Sequence, residues 1–207
     1  MAKFNFPKSI KSRPVYGTLE PRVGNMHLFV SDADGADAIF DLVAIDVALM
    51  AKSHIVYIPQ TFDPTGLGDD KTRMLRSLAP LHLKICPSYS ASVQHLRRTL
   101  ENAHMGVQVY LAGTEGLIGQ AMREVVNAGF PHEAIQTEHR GSVARRMQCV
   151  HCKGITENVI TDPFVCSHCG LHLFVRDHYS RRLAAFQGVR VDAEDPGNVP
   201  QPVGLYS

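Results

Sequence analysis

The 207-residue sequence predicts an α/β fold, a five-stranded parallel, doubly wound sheet, followed by a small metal-held ribbon. Two observations carry this. From residue 26 to about 140, short apolar runs alternate with helix-period stretches through short connections, which implies right-handed crossovers and a sheet covered on both faces. Beyond residue 145 that rhythm stops, and four of the five cysteines fall in two CxxC pairs separated by thirteen residues, 153–165.

Residues 1–25 are rich in Pro, Lys and Arg without lasting periodicity and read as an extended arm. "MHLFVS" from Met26 is a buried strand. "DADGADAIFDLVAIDVALMAKS" then places Ile39, Leu42, Val43, Ile45, Val47 and Leu49 on one helical flank, with Asp32, Asp34 and Asp37 as caps. "HIVYIP" is the second strand, "DDKTRMLRSLA" a helix, "LHLKICP" the third strand and "SASVQHLRRTLENA" a serine-capped helix. "VQVYLAG" and "TEGLIGQAMREVVNAG" supply the fourth strand and helix, the latter closed by Gly129, and "AIQTEH" the fifth strand. The α/β domain is therefore placed at 26–140. The basic connector "HRGSVARRM" leads into a ribbon at 145–190, in which "SRRLAAF" reads as a short helix, and 191–207 is a Pro/Gly-rich tail with no core of its own.

A segment of roughly 40 residues buries too little apolar surface to hold itself together, so a metal has to supply much of its folding free energy. Each CxxC lets two sulfurs converge on one ion, and the residues between the pairs suffice for a hairpin. Cys149, Cys152, Cys166 and Cys169 are the candidate ligands of a tetrahedral four-thiolate shell. Zn²⁺ suits that shell, and so does a single rubredoxin-type iron. Gly154 and Gly170, just past the knuckles, are expected at positive φ. His151, His168 and His172 sit beside a shell that four thiolates already fill and read as solvent-facing or as neighbours supporting the ligands from outside it. Cys86, ending the third strand, reads as a small buried hydrophobe.

Lys and Arg total 21 against 20 Asp and Glu, so no global field favours nucleic acid or anionic lipid. Arginines 140, 145, 146, 176, 181 and 182 cluster around the ribbon without the interleaved exposed aromatics of a nucleic-acid face. Phe174, Tyr179 and Phe186 flanked by Arg176, Arg181 and Arg182 have instead the composition of a protein–protein hot spot. Phe174, Arg176, Tyr179, Arg181 and Arg182 are thus the expected docking residues, the alternative being that the aromatics complete the ribbon's own core. No apolar run approaches the roughly 20 residues that cross a bilayer, and the start lacks a signal-peptide core. With an odd cysteine count, a reducing cytoplasmic location is expected.

"VYLAGTEGLIGQAMREVVNAGFPHEAIQTEHRG" resembles the last β-α-β unit of the ferredoxin reductase pyridine-nucleotide domain. Gly113 and Gly116 match its glycines, Leu117 and Ile118 its apolar pair, and Glu138 its closing acid. The resemblance implies Gly113, Thr114, Glu115 and Gly116 as cofactor-facing positions. Ala112 stands where that family has a cysteine, and Thr114 where it has proline. In the first turn, "SDADGAD" sets three carboxylates where the family has a glycine-rich loop for the cofactor diphosphate, which opposes NADPH binding. Glu115 and Glu138 then read as ordinary surface charges.

The whole chain, most specifically "ITENVITDPFVCSHCGLHLFVRDHYSRRLAAFQGV", is similar to the small A-subunit family of bacterial dimethylamine monooxygenases. That resemblance implies a multicomponent haem-dependent enzyme using NADPH and O2 to N-demethylate dimethylamine to methylamine and formaldehyde. Haem, FMN and iron–sulfur chemistry belong there to partner subunits, a haem subunit and a flavin/iron–sulfur reductase subunit. The expected role here is an accessory subunit, not catalytic on its own, that supports assembly or electron transfer. The alternatives are a pyridine-nucleotide oxidoreductase component passing electrons and, behind it, a zinc-ribbon nucleic-acid binder.

Overall fold

A computed structural model describes residues 13–65 and 68–206. They form two compact units, 16–141 and 142–206, with residues 13–15 grouping with the second.

The first unit runs β1 (Met26–Asp32), α1 (Gly35–Ile45), β2 (Ser53–Ile58), α2 (Asp70–Ser77), β3 (His82–Ile85), α3 (Tyr89–Glu101), β4 (Val107–Gly113), α4 (Glu115–Asn127) and β5 (Ile135–His139). All pairings are parallel, in the order β3-β2-β1-β4-β5. Successive residues of a strand point to opposite faces, so β1 gives Phe29 to one core and Leu28 and Val30 to the other. Phe29, Tyr57 and Tyr110 pack with Ile39 and Leu42 of α1 and Leu75 of α2. Leu28, Val56 and Leu111 pack with Leu96 of α3 and with Ile118 and Val125 of α4. Cys86 lies in this second core, and burial pushes its thiol pKa up against the opposing pull of Lys84.

Helix starts follow their caps. Asp69, Ser88 and Thr114 accept from the N–H groups of Thr72, Ala91 and Leu117, and Gly129 at φ +89° follows the end of α4. Asp34, expected as a cap, makes no side-chain cap bond. The first helix is also shorter than its apolar pattern predicts. It stops at Ile45, where Asp46 turns extended and its carboxylate takes the Ala48 N–H to open a 3₁₀ segment, Val47–Lys52. Ile45 and Val47, placed on the buried flank by periodicity, are therefore about 70% and 69% exposed.

Of the arm expected over residues 1–25, residues 1–12 lie outside the described residues. Residues 16–20 lie along β5, with the Gly17 N–H on the Thr137 carbonyl (2.9 Å) and the Glu20 N–H on the Gln136 side chain (2.8 Å). Leu19 is buried in the first core. The segment thereby covers an edge that would otherwise be open to pairing.

The second unit contains β6 (Arg145–Cys149), β7 (Ile155–Val159), β8 (Thr161–Asp162), β9 (Phe164–Val165), β10 (His172–Ser180), β11 (Ala185–Arg190) and β12 (Val203–Gly204). Its main sheet has the order β7-β6-β11-β10-β9. "SRRLAAF" is not a helix: β10 and β11 form an antiparallel pair, and the chain between them turns with Ala184 at φ +52°. The turn carries Phe186 into a small core with Met147, Phe164, Leu173 and Tyr179. The Pro/Gly-rich tail ends in β12, which pairs with β8. The guanidinium of Arg145 stacks on Phe186 (4.3 Å) and Tyr206 (4.2 Å) and reaches Asp177 (2.8 Å), which ties the chain end to the ribbon. Among the described residues no helix is long and apolar enough to cross a membrane.

Candidate metal centre and crevice

The four ribbon thiols come together: the Sγ atoms of Cys149, Cys152, Cys166 and Cys169 all lie within 4.8 Å of one another. The short separations run between the knuckles, Cys149 to Cys169 at 3.9 Å and Cys152 to Cys166 at 3.7 Å. A disulfide requires about 2.05 Å. Four thiolates at about 2.3 Å from a tetrahedral ion stand roughly 3.8 Å apart, so the donor set fits an ion at its centre.

The two knuckles repeat one backbone pattern. The N–H of Cys149 donates to the Gly154 carbonyl and that of Cys166 to the Leu171 carbonyl, both at 2.9 Å; Lys153 and Gly170 donate back to Cys149 and Cys166, both at 3.0 Å. Burial disfavours the Cys166 thiolate, but the N–H groups of Cys169 and His168 and the neighbouring thiols outweigh it and hold the thiol well below its usual range. His151, His168 and His172 are exposed, and the His168 ring contacts the Ile155 carbonyl at 2.8 Å.

Gly170 takes positive φ (+72°) as expected, but the matching residue of the first knuckle is Lys153 (+63°), not Gly154. Gly154 is needed for space instead, because a Cβ there would press on the His168 ring. A left-handed non-glycine residue costs about 1 kcal/mol. Lys153→Gly is therefore expected to stabilise the ribbon by up to ~1 kcal/mol, less the 2.6 Å bond from Lys153 to the Val150 carbonyl. Denaturant unfolding of the ribbon transition checks it.

In the α/β unit, β1 and β4 are adjacent and their connections leave in opposite directions, which opens the crevice where such folds place ligands. Here Asp32 fills it. Its Oδ2 accepts from the Thr114 N–H (3.0 Å) and hydroxyl (2.6 Å), and its Oδ1 from the Gly35 N–H (3.4 Å). Gly113 at φ +133° leaves room for that carboxylate, and a Cβ would run into it. Asp34 and Asp37 turn away to Lys71, at 3.4 and 2.9 Å.

Glu115 and Glu138 are buried rather than surface charges. Glu115 accepts from the Tyr16 hydroxyl (3.0 Å), while Glu138 accepts from the Leu19 N–H (2.7 Å) and pairs with Arg140 (2.6 Å). Both acids thus hold residues 16–19. Gly116 lies on α4 with open space around it. Sequence reasoning missed these ties because each pair is separated by about a hundred residues.

Burial raises the Asp32 pKa, opposed by its bonds from Thr114 and Gly35 and aided by Asp34. An acid whose folded pKa exceeds its unfolded one carries no penalty below about pH 4 and loses stability as pH rises through the folded value. Asp32→Asn keeps an acceptor for Thr114 without the charge. The variant's melting temperature relative to wild type should therefore increase from about pH 4 to about pH 7. A difference that shrinks with pH would mean the hydrogen bonds outweigh burial.

Among the expected docking residues, Arg181 and Arg182 are exposed in the β10–β11 turn, and Arg176 lies over the half-buried Phe174 ring at 5.7 Å. Tyr179 points inward and packs edge-on against Phe186, centroids 4.9 Å apart, so the core takes it away from the surface.

Comparison with known proteins agrees with both units. Residues 8–135 match the N-terminal domain model, and residues 146–189 the C-terminal domain model, of the dimethylamine monooxygenase subunit DmmA-like family. The heme-dependent oxidative N-demethylase delta subunit of Ectopseudomonas mendocina (strain ymp) is 32% identical over 107 residues, 52% of this chain and 61% of that protein. The crystal structure of full-length CYP116B46 from Tepidiphilus thermophilus aligns over 65% of this chain and 18% of that one, at 15% identity and a TM-score of 0.38, too loose a superposition to bear on the fold. The two domain models together span most of the chain, one on each side of the 142–145 connection, and the chain belongs to the dimethylamine monooxygenase subunit DmmA-like family.

Proposed function

We propose that this chain is a non-catalytic subunit of a haem-dependent, multicomponent oxidative N-demethylase that acts on dimethylamine, and that its ribbon, held by Zn²⁺ on Cys149, Cys152, Cys166 and Cys169, docks a partner subunit. The printed role of the relative, a delta subunit of a heme-dependent oxidative N-demethylase, supports the assembly, and the family's description supports dimethylamine. One observation carries the non-catalytic role. The carboxylate of Asp32 takes the Thr114 and Gly35 donors that a cofactor diphosphate would need at Gly113–Gly116, so NADPH is oxidised elsewhere. Haem, FMN and iron–sulfur groups belong on this reading to the haem and reductase subunits. The setting is the cytoplasm, where thiols stay reduced for metal.

Zn²⁺ is favoured over iron because a segment this small needs a cross-link to fold, which a redox-inert ion supplies. Metal analysis of a colourless protein supports zinc; a red protein with thiolate-to-iron absorbance overturns it.

Docking is tested by charge reversal at the exposed turn. Arg181→Glu with Arg182→Glu should leave metal content and melting unchanged, yet weaken assembly and dimethylamine turnover together by ~2 kcal/mol, about thirtyfold in Kd. Wild-type stoichiometry and salt resistance of the complex carrying the double variant would place docking elsewhere.

A further inference from the structure

On the sheet face that α3 covers, the outer strands are not apolar. His54 of β2 and His82 of β3 are register partners with ring centroids 4.4 Å apart, and Lys84 follows on the same side. With His95 and Arg98 of α3 and Asn102 just past its end they line a cavity of ≈ 450 Å³. Lysine on an edge strand is ordinary protection against pairing. That explains β3, where His82 and Lys84 are exposed. It does not explain His54, which is half-buried in a strand paired on both sides, next to Leu28, where the rest of the face is aliphatic. Nor does it explain His95, half-buried opposite. Among the described residues neither of these two imidazoles has a hydrogen-bond partner.

Beside the apolar Met26 and Leu83, the lining carries cations and neutral donors and no carboxylate. β2 and β3 contain no acid at all. α3 adds Arg97, taken by Glu124 at 2.7 Å, and Glu101, which is not part of the lining. The three imidazoles do not converge on a point; among the described residues only the four thiols do. A metal is therefore a poor occupant, while an acceptor-only group would meet the imidazoles, Lys84 and Arg98; the neutral donors Thr99 and Asn102 already give to the His95 (3.0 Å) and Arg98 (2.8 Å) carbonyls. The cavity exceeds one phosphate group and falls in the size range of small-molecule sites, about 300–1,000 Å³.

We propose that this cavity binds a small, multiply charged oxyanion, a compound carrying two or more phosphate or carboxylate groups. His54 and His95 make the site pH-dependent. Burial lowers both pKa values, and neighbouring cations add to it: His82 and His95 around His54, and Lys84, Arg98 and His82 around His95. An oxyanion offsets the cationic repulsion and so favours the protonated rings.

Calorimetry of the full chain with inorganic pyrophosphate, and separately with citrate, tests this. Saturable binding of either, about tenfold tighter near pH 6 than near pH 8 and accompanied by proton uptake, is expected. Pyrophosphate alone would indicate a phosphate ligand and citrate alone a carboxylate ligand. Affinity should fall at least about tenfold in His54→Leu, and likewise in His82→Ala with Lys84→Ala, whose exposed side chains leave the fold intact. If neither anion saturates at millimolar concentration near pH 6, or if the folded exposed double variant binds as wild type does, the cavity is not an anion site.

Discussion

Cys149→Ser or Cys166→Ser is expected to release the metal and unfold the ribbon while the α/β unit keeps its own cooperative melt. Each thiolate belongs to a set whose members lie within 4.8 Å, and both of these residues are also part of the ribbon's buried core. That core is small: Met147, Val159, Phe164, Leu173, Tyr179 and Phe186 complete it. Structural zinc contributes ~10 kcal/mol or more of apparent binding free energy, which is comparable to the whole stability of an ordinary domain, so losing one ligand leaves too little to order the segment. The α/β unit has two cores of its own and no thiol in the site, so its transition should persist. Metal analysis with thermal unfolding of each variant reads both effects. Unchanged metal content in either single variant would remove the four-thiolate assignment.

The clustering of the four ribbon thiols and the five-stranded sheet were legible because both are written locally. CxxC spacing puts two sulfurs on one side of a turn wherever it occurs, and alternation of apolar runs with helix-period stretches needs no knowledge of the partner strand. What stayed hidden depends on distant partners or on one competing local bond. Periodicity carries the first helix through Leu49 because it cannot see the Asp46 carboxylate capturing the Ala48 N–H. Glu115 and Glu138 read as surface charges because Tyr16 and Leu19, which they hold, sit in a stretch without pattern. Residue type alone puts the positive φ on Gly154, whereas the shared backbone bonds of the two knuckles put it on Lys153. The acidic first turn reads as hostile to phosphate, but only the structure separates Asp32, which enters the crevice, from Asp34 and Asp37, which face Lys71.

Gly35→Ala is expected to destabilise the α/β unit by ~3 kcal/mol, at the upper end of overpacking costs. Helix propensity alone argues the other way, since alanine is favoured over glycine by ~1 kcal/mol inside a helix. The sign is decided by what the new methyl would meet. Gly35 opens α1 against the end of β4, and a Cβ there would run into the Ala112 carbonyl and the Gly113 nitrogen. These are backbone atoms of a central strand paired on both sides, so they cannot swing away as a side-chain end could. Relief would have to come from lifting α1, which carries Ile39 and Leu42 out of the first core and breaks the Gly35 contact to Asp32. In dinucleotide-binding turns glycines serve a tight bend, approach of the diphosphate, and close packing of helix on strand. In "SDADGAD" the packing glycine is kept, while aspartate occupies the donors that phosphate would use. Gly116 is the matched control: it is also helical and also implied as cofactor-facing by resemblance, but it has nothing within 4 Å of a built Cβ. Gly116→Ala should be neutral or stabilising by up to ~1 kcal/mol. Denaturant melts of the two variants should therefore move in opposite directions. Equal destabilisation would mean that glycine in the crevice serves something other than the approach of α1 to β4, and a stabilised Gly35→Ala would show that the helix yields freely and that the crevice is not closed by packing.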